Sequence, residues 1–137
     1  MRTLVLAVAA AALVAGSARP AAALLQFFKV FDEVYLADHP DEDFVKTARG
    51  AKMRCLICHQ GKKRTNHNPY GIHLVPLLDK KEDIKDVEKV KKVLAEVGAM
   101  HSDPDDESSP TYDELFRQGQ FPGGTLEEAS QEPPEEP

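Results

Sequence analysis

The sequence predicts a small, all-α domain, and three observations carry that prediction. Apolar side chains recur at helical spacing near the N-terminus, where Leu24, Phe27, Phe28 and Phe31 share one stripe. A second stripe runs through residues 84–97. No segment shows the strict alternation of apolar and polar residues that marks a half-buried strand, so no strand is expected.

The N-terminal residues 1–23 have the pattern of a targeting segment. Arg2 precedes an apolar run over residues 4–15, and three alanines at positions 21–23 form a small-residue cleavage site. The run is shorter than the roughly 20 residues needed to cross a bilayer. We therefore expect a signal peptide cut after Ala23, with Ala18 as an alternative cut site. The mature protein is then periplasmic or otherwise exported.

The C-terminal residues 122–137 are acidic, rich in Pro and Glu, and nearly free of apolar side chains. Such a composition cannot offset the entropy of ordering the chain, so we expect an acidic disordered tail. One domain remains, over residues 24–121.

The predicted helices follow in order along that domain. The first ends at His39-Pro40, because a residue before proline avoids the helical region. The second starts among the acids that follow Pro40 and runs into residues 53–60, with Gly50 as a weak point. A polar loop, a short helix from Gly71 and an amphipathic helix over residues 81–97 come next. Thr111 begins the last helix, and Glu114 three residues later completes a capping-box pattern.

The stretch MRCLICHQ at residues 53–60 holds the only two cysteines, Cys55 and Cys58, followed directly by His59. A redox dithiol normally starts a helix after a strand, and no strand is expected here. A zinc site lacks a second ligand pair at the usual spacing, and Cys58 and His59 are adjacent. A disulfide across three residues would close only a small loop and constrain the unfolded chain little.

The spacing CxxCH is the attachment signature of haem c. Each thiol adds to one vinyl group of the porphyrin, and the histidine that follows lies under the iron. Export agrees with this chemistry, because bacterial haem c is attached outside the cytoplasm. The sequence therefore predicts one covalent haem c as the cofactor.

A family resemblance enters with the longer run CLICHQGKKRTNHNPYGIHL. This run resembles the monohaem class I cytochrome c domain. It is also similar to a group of small exported bacterial cytochrome c-like proteins that share CxxCHxGKK and a later Asn-x-Tyr-Gly element. The segment TYDELFRQGQFPGG resembles their closing helix, and the resemblance covers most of residues 25–123.

The resemblance implies a role for several residues. Cys55 and Cys58 would form the thioether bonds, and His59 would be the proximal iron ligand. The backbone carbonyl of Pro69 would orient the imidazole of His59. Tyr70 would either hydrogen-bond a haem propionate or simply pack.

Charge is distributed unevenly along the chain. Residues 45–92 hold thirteen Lys and Arg against five acids, a net +8, whereas residues from 102 onward carry a net −10. The cluster Lys62, Lys63 and Arg64, just after the CxxCH motif, would pair with propionates, face an acidic partner, or form a plain solvated loop.

The distal iron ligand is left open by the sequence. Met100 is the first choice, because it follows the long amphipathic helix, where class I cytochromes place their methionine loop. His101 is the alternative. His67 and His73 rank lower, Met53 is too near the cysteines, and a haem without a distal protein ligand stays open.

The expected function is electron transfer rather than enzymatic catalysis. A redox partner protein would dock on the basic face formed by Lys62, Lys63, Arg64 and Arg54. We expect no nucleic-acid partner and no firm membrane association. The alternative is a haem-based gas-binding or sensor protein with an open or weak distal site.

Overall fold

The computed structural model describes residues 20–133, with side chains from residue 25 onward. Residues 20–23 of the predicted targeting segment, with the expected cut after Ala23, belong to the helix that begins at Pro20. Residues 1–19 of that segment fall outside the described residues. Residues 134–137 fall outside them as well. Among the described residues, no helix is both long enough and apolar enough to cross a bilayer.

The chain is predominantly helical, which confirms the predicted class at that level. The helices are α1 (Pro20–Phe31), α2 (Glu42–Arg49), α3 (Met53–Leu56), α4 (Pro69–Leu74), α5 (Val87–Gly98), α6 (Tyr112–Arg117) and α7 (Leu126–Ala129). A π-helical turn, Asp32–Leu36, continues α1, and a 3₁₀ turn, Asp83–Lys85, precedes α5.

The prediction of no strand was wrong. Two short strands, β1 (His59–Gln60) and β2 (Asn66–His67), pair antiparallel, with His59 opposite His67. Positive φ angles at Gly61 (80°) and Arg64 (55°) help the connecting loop to reverse the chain. Strands of two residues are too short to show an alternating pattern, so the sequence carries no sign of them.

Two predicted helices are shorter than expected. The second helix stops at Arg49 instead of continuing through the cysteine motif, and α3 starts afresh at Met53. The amphipathic helix starts at Val87 rather than near Lys81, because the side chain of Asp86 caps it by accepting from the Lys89 amide.

The main core lies where α1, α5 and α6 meet. Phe31 and Phe116 pack edge to face with ring centroids 5.0 Å apart, and Tyr70 packs on Phe116 at 5.1 Å. Helix α5 buries a stripe against these rings, formed by Val90, Val93, Leu94 and Val97. The capping box predicted for the last helix is present in α6, between Thr111 and Glu114.

The expected disordered tail contains ordered structure over residues 122–133. Helix α7 has its own capping box between Thr125 and Glu128, and Ala129 is fully buried against Met53 and Leu56. A single small buried residue anchors this segment, which explains why its polar composition does not reveal the helix.

Candidate functional site

Cys55 lies in α3, and Cys58 follows in the turn just after that helix ends at Leu56. The Cys58 amide donates to the Cys55 carbonyl at 3.4 Å, which keeps the chain in a tight turn. Both thiols are free and both residues keep some exposed surface. Burial, with a smaller contribution from Cys55, raises the pKa of Cys58 to about 12. A redox dithiol needs a lowered thiol pKa, so this environment argues against that alternative.

His59 occupies β1, immediately after Cys58. Its Nδ1 lies 3.2 Å from the carbonyl oxygen of Asn66, and a carbonyl can only accept, so Nδ1 carries the proton. The other ring nitrogen, Nε2, therefore keeps its lone pair. Burial is the main reason that the pKa of His59 is lowered, which favours the neutral ring that a metal requires.

The carbonyl that faces His59 Nδ1 is not the one that the resemblance implied. Pro69 is exposed and serves as the first residue of α4, whereas Asn66 on the paired strand provides the acceptor. The difference follows from the β hairpin, which brings residues 66 and 67 beside His59 before the chain reaches Pro69.

Asn68, the first residue of the Asn-x-Tyr-Gly element, has a structural role. It is completely buried, and its amide nitrogen donates to the carbonyls of Leu56 (3.0 Å) and Ile57 (2.8 Å). Its side-chain oxygen caps α4 by accepting from the Gly71 amide at 2.9 Å. A single amide side chain thus joins α3 to α4 across the cysteine motif.

Gly71 allows that close approach. A Cβ at this position would collide with the carbonyl oxygen of Cys58, so α4 can rest on the motif only with glycine there. The Asn-x-Tyr-Gly element therefore has a structural explanation. Asn68 hydrogen-bonds to the cysteine motif, and Gly71 lets α4 approach the motif closely.

Tyr70, between them, is fully buried and packs against Tyr112 at 5.2 Å and against Phe116. Its hydroxyl has no hydrogen-bonding partner among the described residues. Burial holds the pKa of that hydroxyl well above its ordinary value. The contacts of Tyr70 within the described residues are therefore packing contacts.

His67 is the imidazole that the structure brings to His59. Their ring centroids are 4.5 Å apart, as expected for directly opposed residues of a hairpin. His67 stands beside the His59 ring, so it is badly placed to bind the opposite face of any metal that His59 would hold.

Met100 and His101 begin the connection from α5 to α6. The Met100 side chain is 38% exposed, and its carbonyl accepts from the Tyr112 amide. His101 is exposed, with Nδ1 2.6 Å from the Ser109 carbonyl oxygen. His73 lies near Tyr112, with ring centroids 6.1 Å apart. Met53 is buried beneath α7.

The basic residues Lys62, Lys63 and Arg64 are exposed in the loop between β1 and β2, and Arg54 is partly buried on α3. One acidic side chain reaches this loop from the C-terminal segment: Glu132 accepts from the Lys62 amide at 2.8 Å.

Two clefts of about 700 and 500 Å³ lie near His39, and neither is lined by the cysteine motif. Within residues 25–133, no group of three or more His, Cys, Asp or Glu side chains is arranged to hold a metal ion. The zinc alternative therefore lacks a ligand set in this part of the chain.

Comparisons of the chain with protein-family models, with curated proteins and with solved structures found no match.

Proposed function

We propose that this chain is an exported monohaem c-type cytochrome that carries electrons. The observation that supports it best is the state of His59. Its Nδ1 proton is committed to the Asn66 carbonyl, so the ring offers Nε2 directly after two free thiols at haem-attachment spacing.

The donor set fits a covalent haem c. Cys55 and Cys58 would anchor the porphyrin, and His59 would bind the iron through Nε2. A haem bound there supplies an iron that alternates between ferrous and ferric states. The chain's own residues hold the imidazole in one tautomer and hold α4 against the motif through Asn68 and Gly71.

Apolar surface near the motif also supports the proposal. Helix α4 rests on Cys58 and exposes Ile72 (58%), and Val75 directly after it is exposed by 55%. A cofactor or partner that covered these two side chains would remove apolar surface from water, which is favourable.

Covalent attachment is tested by producing the full chain together with the bacterial haem c attachment machinery. We expect a haem-stained band on a denaturing gel, and we expect its loss when Cys55 and Cys58 are both changed to Ser. Circular dichroism of the double variant is the control for folding. A wild-type chain that is helical, exported and free of covalent haem would contradict the proposal.

A gas-binding or sensor protein is the second candidate, and the exposure of Met100 favours it. Spectra of the ferric protein distinguish the two functions. If a thioether binds the iron, Met100→Ala abolishes the weak long-wavelength absorption typical of His/Met haem, whereas His101→Ala leaves it unchanged. A high-spin spectrum with ready binding of carbon monoxide would instead identify an open distal site.

Docking of a redox partner is tested on the basic loop. Lys62→Glu combined with Lys63→Glu should slow electron exchange with an acidic partner at low salt and reduce the salt dependence of the rate. Lys80→Glu with Lys81→Glu is the matched control, because those lysines are also exposed but belong to the region before α5. Equal rates for both double variants would remove the docking face.

A further inference from the structure

We propose that the C-terminal segment 125–133 is part of the site, with Glu132 as a positioning residue for His59. The inference rests on the proposed function only in what His59 binds. The contacts that carry it belong to the chain itself.

The first step is the anchoring of the segment. Helix α7 lies against α3, where Ala129 is fully buried with Met53 and Leu56. The Thr125–Glu128 capping box holds the start of that helix in place. The segment is therefore fixed to the helix that carries Cys55.

The second step is the set of hydrogen bonds that this segment makes to the loop between β1 and β2. The Ala129 carbonyl accepts from the Gly61 amide at 2.9 Å. The Glu132 carboxylate accepts from the Lys62 amide at 2.8 Å and from the Asn66 side-chain nitrogen at 3.3 Å. Gly61 has a φ of 80°, and a Cβ there would collide with the same carboxylate.

The third step connects these hydrogen bonds to the imidazole of His59. Asn66 presents its carbonyl to His59 Nδ1 and its side chain to Glu132. Glu132 thus ties both ends of a loop whose basic side chains repel one another. Holding Asn66 in place keeps the acceptor on His59, and that acceptor sets the tautomer and the direction of Nε2.

The test uses the full chain as purified, with its haem content measured separately, and follows hydrogen exchange by NMR. In Glu132→Ala the Lys62 amide loses its charged acceptor, and Asn66, which faces His59 Nδ1, loses the carboxylate that holds its side chain. We therefore expect exchange of the Lys62 amide and of the His59 Nδ1 proton to rise about tenfold or more. The Gly61 amide should keep its protection, because Ala129 still accepts from it.

Two further variants make the result specific. Glu127→Ala removes an exposed carboxylate from α7, in the same C-terminal segment, and should leave all three protons unchanged. Glu132→Gln keeps an oxygen for the Lys62 amide but presents a nitrogen to Asn66. It should therefore protect Lys62 while releasing the His59 proton.

Unchanged exchange of the His59 Nδ1 proton in Glu132→Ala would overturn the positioning role, as would an equal increase in Glu127→Ala. Because the readout is a proton on the chain, it holds whether or not haem is attached. Absence of haem would contradict the proposed function and leave this inference to be judged on the exchange rates.

Discussion

Two hydrophobic clusters of unequal size lie within residues 25–133, and the CxxCH motif lies between them. The main core joins residues far apart in sequence, such as Phe31 and Phe116, and Cys58 packs against its edge. The small cluster has three buried members, Met53, Leu56 and Ala129, with Phe121 beside them. We therefore expect the main core to set global stability and the small cluster to hold α7 against α3.

The largest effect is expected in the main core. Phe116 is fully buried and contacts Phe31, Tyr35 and Tyr70. Phe116→Ala should lower the free energy of unfolding by about 3–5 kcal/mol. Urea denaturation measures it, with the exposed Leu126→Ala as a control that should change little. A similar loss in both variants would contradict the division into two clusters.

The link between the clusters should come next. Asn68→Ala leaves the buried carbonyls of Leu56 and Ile57 without their donor. Each unsatisfied group costs about 1–3 kcal/mol, so the expected loss of stability is about 3 kcal/mol. Denaturation followed by circular dichroism gives this value. A loss under about 1 kcal/mol would mean that water replaces the amide.

The small cluster should open locally. Met53→Ala removes most of the apolar surface that Ala129 covers. We expect the free energy required to open this cluster to fall by about 2 kcal/mol, the lower end of the range for a buried Met. Hydrogen exchange should show faster exchange of the Gly61 amide, which donates to Ala129, with little change in the amides of α5. Equal acceleration in α5 would show that the clusters unfold together.

The two capping boxes allow the same substitution to be compared beside the main core and beside the small cluster. Thr111 caps α6 beside the main core, and Thr125 caps α7. Thr111→Ala should reduce global stability by about 1 kcal/mol. Thr125→Ala should affect only α7, seen as faster exchange of the Gly61 amide without a shift of the urea midpoint. A midpoint shift in Thr125→Ala would place α7 in the main cooperative unit.

The smallest effect is the pH dependence of these caps. Hydrogen bonds from the threonine amides lower the pKa of Glu114 and of Glu128 below their ordinary value. Since the folded pKa is the lower one, their stabilisation is present above the ordinary pKa and is lost as the pH falls through the folded value. In Glu114→Gln the free energy of unfolding should therefore change less with pH between about pH 5 and pH 3. An unchanged slope would contradict the cap's contribution.

Local signals predicted what depends on neighbours in sequence. The stripe of α5, the Thr111–Glu114 box and the CxxCH spacing each rest on residues within a few positions of one another. The hairpin, the break before α3 and helix α7 could not be predicted in this way. The two-residue strands form because the loop folds back, and α7 forms because Ala129 finds a buried site on α3.

The predominantly helical class could be read from the order of residues alone, as could the spacing of two thiols and an imidazole at Cys55, Cys58 and His59. The fold adds which carbonyl faces the imidazole, which side chain lies beside it and which carboxylate binds the loop between β1 and β2. Asn66, His67 and Glu132 acquire these roles through backbone pairing and a distant helix. Such contacts join residues that are distant in sequence or that meet only through backbone pairing, so no local pattern of residue types predicts them.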